Sequence, residues 1–196
     1  MRFMKPLDYD NTEILSENGG RPKLPKGGYV LKIMSVEEAT SQSGNPYLKM
    51  MFDIAEGEYM SFFAEDYAAQ TGDNRRWKLT NNLMIPTDSS KPYTRKLFKT
   101  FNTYCEESNP GWHFDWMGDE KQYRGKLIGA LINEREYETR NGSRGMATNI
   151  ARFVTANTIR SGAYTIPNDV MLKTPAKTGD DFYTADTVDD DDLPFN

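Results

Sequence analysis

The chain has 196 residues, of which 37% are hydrophobic and 27% charged, and carries a formal net charge of −5. That length suits one domain of about 150 residues with tails, and no apolar run approaches the ~20 residues that span a bilayer. One cysteine excludes an internal disulfide and a cysteine-based zinc site, His113 is the only histidine, and the segment Met1 to Asp10 lacks the apolar core of a signal peptide.

Residues 1–26 hold Asn18-Gly19-Gly20, several prolines and little periodicity, and read as an N-terminal arm. Tyr29 to Glu38 reads as a strand. Ser41-Gln42-Ser43-Gly44-Asn45-Pro46 is dense in turn formers. In a second strand Leu48, Met50, Phe52 and Ile54 face one way and Tyr47, Lys49, Met51 and Asp53 the other. Glu56-Gly57-Glu58 then turns the chain into an expected third strand, Tyr59 to Glu65. Tyr67 to Ser90 is polar and carries the basic-aromatic run Arg75-Arg76-Trp77-Lys78. Leu97, Phe98, Phe101, Tyr104 and Cys105 recur at helical spacing within Tyr93 to Glu107, and Asn109-Pro110-Gly111 stops that helix. Trp112, Phe114 and Trp116 are expected to pack against it. Lys126 to Arg140 and Met146 to Arg160 read as two more strands. Asn141-Gly142 is a strong hairpin signal between them.

Three strands, a helix and a hairpin are the element order of an OB-fold, a five-stranded, partly open barrel with a helix between strands three and four. The expected fold is therefore mainly β: an OB-fold barrel over residues 27–167, followed by a disordered acidic tail over residues 168–196. From Asp180 to Asn196 there are seven acids and no base, so 24 bases face 22 acids in the rest of the chain, a net of +2. The acidity belongs to the tail, and the body is near neutral to weakly basic.

The chain ends Asp189, Asp190, Asp191, Asp192, Leu193, Pro194, Phe195, Asn196. Four like charges repel one another and stay solvated, and the apolar Leu-Pro-Phe beside them has no folding role. This hook reads as bait for another protein. It resembles the acidic C-terminal tip of bacterial and phage single-stranded DNA-binding proteins, with the departure that Asn196 follows the Phe. The Gly-Tyr-Val start of the first strand, the Ser-Gly-Asn-Pro turn and the Tyr-Arg-Gly-Lys stretch before the fourth strand resemble the phage-type members. The resemblance implies binding and protection of single-stranded DNA without sequence preference during phage replication, recombination or repair. It also implies recruitment of partners through residues 189–195, residence in the bacterial host cytoplasm, no cofactor and no metal. Homo-oligomers are common among such proteins.

Single-stranded DNA needs cations for phosphates and flat side chains for bases, and on an OB-fold the usual surface is the outer face of strands two and three. Tyr47, Lys49 and Met51 form such a row, about 6–7 Å apart. Phe62 and Phe63 point opposite ways in a strand; alternation from Tyr59 groups Phe63 with Tyr59 and Ser61 as the outward ring, and a bulge would swap the two. Arg75, Arg76 and Trp77 combine charge with a ring that either stacks a base or is buried beneath a solvated loop. Arg135 and Tyr137 share one face of the fourth strand, Arg140 and Arg144 fall at the hairpin turn, and Arg152 lies across from them. Glu134, Glu136 and Glu138 occupy the opposite face, which is expected to turn away from phosphate.

No phosphate-cradling Gly-x-x-x-x-Gly-Lys-Ser/Thr, His-Glu-x-x-His or Cys-x-x-Cys occurs. Asp53, Glu56, Glu58, Glu65 and Asp66 are the acids outside the tail that lie close enough in sequence for a metal-dependent nuclease. The alternatives to a DNA-binding protein are a protein-only adaptor on an OB-like barrel and, behind it, such a nuclease.

Overall fold

The computed structural model describes residues 5, 7, 9–11, 23–139 and 141–172. Five strands, β1 (Gly27–Thr40), β2 (Pro46–Ile54), β3 (Thr80–Met84), β4 (Leu127–Glu138) and β5 (Arg144–Val154), form one antiparallel sheet in the order β3-β2-β1-β4-β5. Three helices accompany it: α1 (Phe62–Ala69), α2 (Pro92–Ser108) and α3 (Ala156–Ser161). The sheet is not closed into a barrel. β3 is five residues long, and α2 packs against β3, β4 and β5 at the end where the two edges approach.

The long β1 is apolar on both faces for two reasons. Leu31 and Ile33 point into the core, fully buried. The ladder to β2 then shifts between Ile33 and Ser35, so Met34 is the extra residue of a bulge and Val36 turns inward instead. On the opposite face Val30 is also buried, because α3 lies over that end of the sheet. Gly129, the register partner of Val30, has no room for a side chain: a Cβ there falls 2.4 Å from the Thr155 carbonyl oxygen.

The core side behaves as the alternation in β2 predicts. Leu48, Met50, Phe52 and Ile54 are all buried. Phe98, Phe101 and Cys105 of α2 close over them with Phe153 of β5 and Tyr123. The Phe101 and Phe153 rings meet edge to face with centroids 5.0 Å apart. Burial pushes the Cys105 thiol up to about 12. Tyr123 Oη donates to Asn102 Oδ1 at 2.6 Å, so its buried hydroxyl is satisfied.

The third strand stands elsewhere than expected. Tyr59 to Glu65 is a turn followed by the start of α1, and β3 lies within the polar stretch Tyr67 to Ser90. The cause is Asp53. Its buried carboxylate accepts from the backbone N–H of Phe63 at 3.0 Å and of Ala64 at 3.2 Å, and from Ile54 N–H at 2.8 Å. It thereby caps α1 from outside the helix, where Ser61 offers no side-chain bond and adopts a left-handed φ of 66°. β5 also ends earlier than expected, at Val154. Thr155 Oγ1 accepts from Thr158 N–H and turns the chain into α3.

The helix, the turn after β1 and the β4–β5 hairpin lie where the sequence puts them. Gly142 takes φ +78° at the hairpin tip, and its N–H bonds to Thr139 O at 2.8 Å. Five described residues follow Pro167, and the rest of the expected tail lies outside the described residues. Val170 bridges to Arg135 in parallel, and Val170 N–H and O bond to Glu134 O and Glu136 N–H. Among the described residues no helix is long and apolar enough to cross a membrane.

Candidate nucleic-acid interface

Antiparallel register places opposed residues on one face. Tyr47 pairs with Met84, Lys49 with Asn82 and Met51 with Thr80, while on the β1 side the same three face Ala39, Glu37 and Ser35. Lys49 is exposed, and Tyr47 and Met51 are half-buried. The row Tyr47-Lys49-Met51 thus lies on the outer face of β2, away from the core, as the alternation predicts.

Beside it, the edges of β3 and β5 flank a cleft of about 400 Å³ lined by Lys78, Thr80, Asn81, Asn82, Arg135, Thr148, Asn149 and Ile150. Its lining carries two cations and no carboxylate. The end of α1 organises one wall. Gln70 accepts from Arg76 N–H at 2.8 Å and donates to Arg76 O at 2.9 Å and to Asp66 Oδ2 at 2.9 Å. Asp66 Oδ1 also accepts from Lys78 Nζ at 2.7 Å. The basic run is therefore a fixed approach to β3, with Arg75 and Arg76 exposed. The Arg75 guanidinium lies over the Tyr67 ring, 5.0 Å from its centroid.

Trp77 belongs to the scaffold. Its ring is half-buried, packs on the core and leans on Tyr67, and its Nε1–H donates to Phe52 O at 2.7 Å. Phe63, expected to face outward from a strand, is 2% exposed inside α1, so its ring is not available to a ligand. Tyr137 is exposed, with its hydroxyl against Gly145. Arg144 is held by Glu138 at 3.3 Å and Glu136 at 3.8 Å, so its charge is largely spent within the hairpin. Arg152 is exposed on β5 opposite Leu131 and is not among the cleft residues. Arg140 and the tip Asp189 to Phe195 lie outside the described residues.

No known protein family matches this chain, and no curated protein is similar to it.

The acids of β4 are occupied by neighbouring segments. Glu134 pairs with Lys23 and Lys26, and Lys26 also pairs with Asp169 at 2.5 Å. Hydrogen bonding, chiefly from Lys23, holds the Glu134 carboxyl below the usual range, and Lys26 does the same for Asp169. Glu136 Oε2 accepts from Leu172 N–H at 3.0 Å. The acids considered for a nuclease are dispersed in the same way: Asp53 caps α1, Asp66 binds Lys78 and Gln70, and Glu56 binds Arg160 at 2.6 Å. Among the described residues no group of three or more His, Cys, Asp or Glu side chains could hold a metal ion.

Sequence reasoning overlooked the cleft. Thr148, Asn149, Asn81 and Asn82 carry no charge or ring to flag them, and the two edges meet only in three dimensions. Trp116 does lean on Phe98 of α2, as expected, and on Phe114, but that ring is 65% exposed and not buried in the core.

Proposed function

We propose that this chain binds single-stranded DNA without sequence preference, through the outer face of β2 and β3 and the cleft that continues from it. In this reading the body is an OB-fold whose β3–β5 seam is left open. The strand order and the position of α2 between β3 and β4 support that comparison.

The observation that carries the proposal is the row Tyr47-Lys49-Met51, with Lys49 exposed, running alongside a cleft whose lining includes Arg135 and Lys78, the latter ion-paired with Asp66. A base stacks on an aromatic ring whatever its identity, for about 1–3 kcal/mol. Lysine and arginine meet the phosphates as point charges and forks. Glu37 stands opposite Lys49 on the β1 side, so the phosphate path runs toward β3 and the Arg75–Lys78 segment rather than toward β1. Of the expected residues the binding set keeps Tyr47, Lys49, Met51, Arg75, Arg76 and Arg135, adds Lys78, and leaves out Phe63, Trp77, Tyr137, Arg144 and Arg152, with Arg140 outside the described residues.

The acidic tip supplies the second half of the function. Its four aspartates and Leu193-Pro194-Phe195 recruit replication, recombination or repair proteins of the phage and its host. A competition titration tests the DNA claim: labelled oligo-dT is displaced by unlabelled oligo-dT and not by an equal concentration of duplex. Equal displacement by duplex defeats the proposal.

A further inference from the structure

Asn81 breaks the pattern of its strand. It lies on the inward face of β3, opposite the fully buried Met50 and between the buried Leu79 and Leu83. It is itself 8% exposed, and its Oδ1 is buried with no hydrogen-bond partner. A buried amide oxygen left unpaired lowers stability, and leucine, of similar size, would complete the apolar row. Yet Asn81 also lines the cleft between β3 and β5.

A carboxamide carries a donor and an acceptor side by side, and a half-turn of the side chain exchanges them. The Watson–Crick edge of every base offers a complementary pair: N6–H and N1 of adenine, N4–H and N3 of cytosine, N1–H and O6 of guanine, N3–H and O4 of thymine. One asparagine can therefore pair with any of the four. In a duplex those atoms are taken by the opposite strand.

We propose that Asn81 reads the unpaired state of DNA: the cleft seats one base, whose Watson–Crick edge satisfies the Asn81 amide. The contact selects for single-strandedness and not for sequence, and it rests on the DNA-binding reading above. The volume of about 400 Å³ falls in the range of sites that enclose small ligands. Thr80, Asn82, Thr148 and Asn149 give the seat polar walls, and Arg135 and the Asp66-paired Lys78 lie in the same lining.

The test compares oligo-dT with the same oligonucleotide built from N3-methylthymidine, which keeps the stacking face and the phosphates but loses the N3–H donor. Wild type binds the methylated strand about fivefold more weakly, the value of one net hydrogen bond. Asn81→Leu binds both strands equally, at the weaker affinity, and melts at a higher temperature than wild type because the orphan amide is gone. Asn81→Ala gives the same equal binding should leucine disturb the fold. The inference is overturned if wild type does not distinguish the two strands, or if the variants still do. Absence of binding to either strand overturns the DNA-binding reading itself, a different result from equal binding to both.

Discussion

The Trp77 indole N–H donates to the Phe52 carbonyl at 2.7 Å, tying the basic segment before β3 to the end of β2. The same ring leans on Tyr67 of α1, whose face also carries Arg75. One tryptophan thus joins the strand, the helix and the basic segment. It fixes the segment that carries Arg76 and leads to Lys78, which lines the cleft.

Trp77→Phe keeps most of the packing and removes the hydrogen bond. It is expected to cost about 1–2 kcal/mol of stability, read as a lower midpoint in urea unfolding. Oligo-dT affinity at low salt should stay within about twofold of wild type, since the stacking energy of a base, about 1–3 kcal/mol, is not at stake. A tenfold loss of affinity with unchanged stability would make Trp77 a stacking platform instead.

Asp53 holds α1 on the sheet through bonds to the N–H groups of Phe63 and Ala64. Asp53→Ala leaves those amides and that of Ile54 without their acceptor in a buried site, and should destabilise the protein by about 2–3 kcal/mol. Chemical denaturation measures this directly. Loss of the cap also loosens Phe63 from the core, so the midpoint should fall without a gain in DNA affinity.

These two residues show what the sequence could reveal. The strict alternation of Leu48, Met50, Phe52 and Ile54 has one reading, and it yields both the core face and the outer row of Tyr47, Lys49 and Met51. The spacing of Phe98, Phe101 and Cys105 likewise admits only a helix. Phe62-Phe63 has no such constraint: two adjacent rings suit a strand or a helix, and the choice is made by Asp53, ten residues earlier than Phe63. β3 escaped notice for a related reason. Asn81 interrupts the alternation of Leu79 and Leu83, so a strand reads as a polar loop. The cleft was not legible at all, because its walls come from strands at opposite ends of the sheet order.

Glu56 and Arg160 join the loop after β2 to α3 by two bonds, 2.6 and 3.1 Å long. Arg160 draws the Glu56 carboxyl below its ordinary value of 4.5. A carboxyl with a depressed folded-state pKa contributes stability that is complete above 4.5 and is lost as pH falls through the lower folded value. Both side chains are partly exposed, so the contribution is modest, about 0.5–1 kcal/mol. Glu56→Gln should therefore be less stable than wild type by that amount at about pH 7, and the gap should narrow as the pH falls below 4.5 and through the lower folded value. High salt should narrow it at neutral pH. Urea melts of both proteins across that pH range provide the comparison.

The central claim is that phosphates meet fixed cations beside a stacking row on β2 and β3. The most direct measurement is the slope of log affinity for oligo-dT against log salt concentration, taken for wild type, Lys49→Ala and Tyr47→Ala. Each phosphate contact on a single strand contributes about 0.7 to that slope. The account predicts a steep wild-type slope and a slope smaller by about 0.7 in Lys49→Ala. Tyr47→Ala should keep the wild-type slope while losing about 1–3 kcal/mol of affinity at every salt concentration. No binding of oligo-dT by wild type at low salt, or wild-type slope and affinity in both variants, would contradict it.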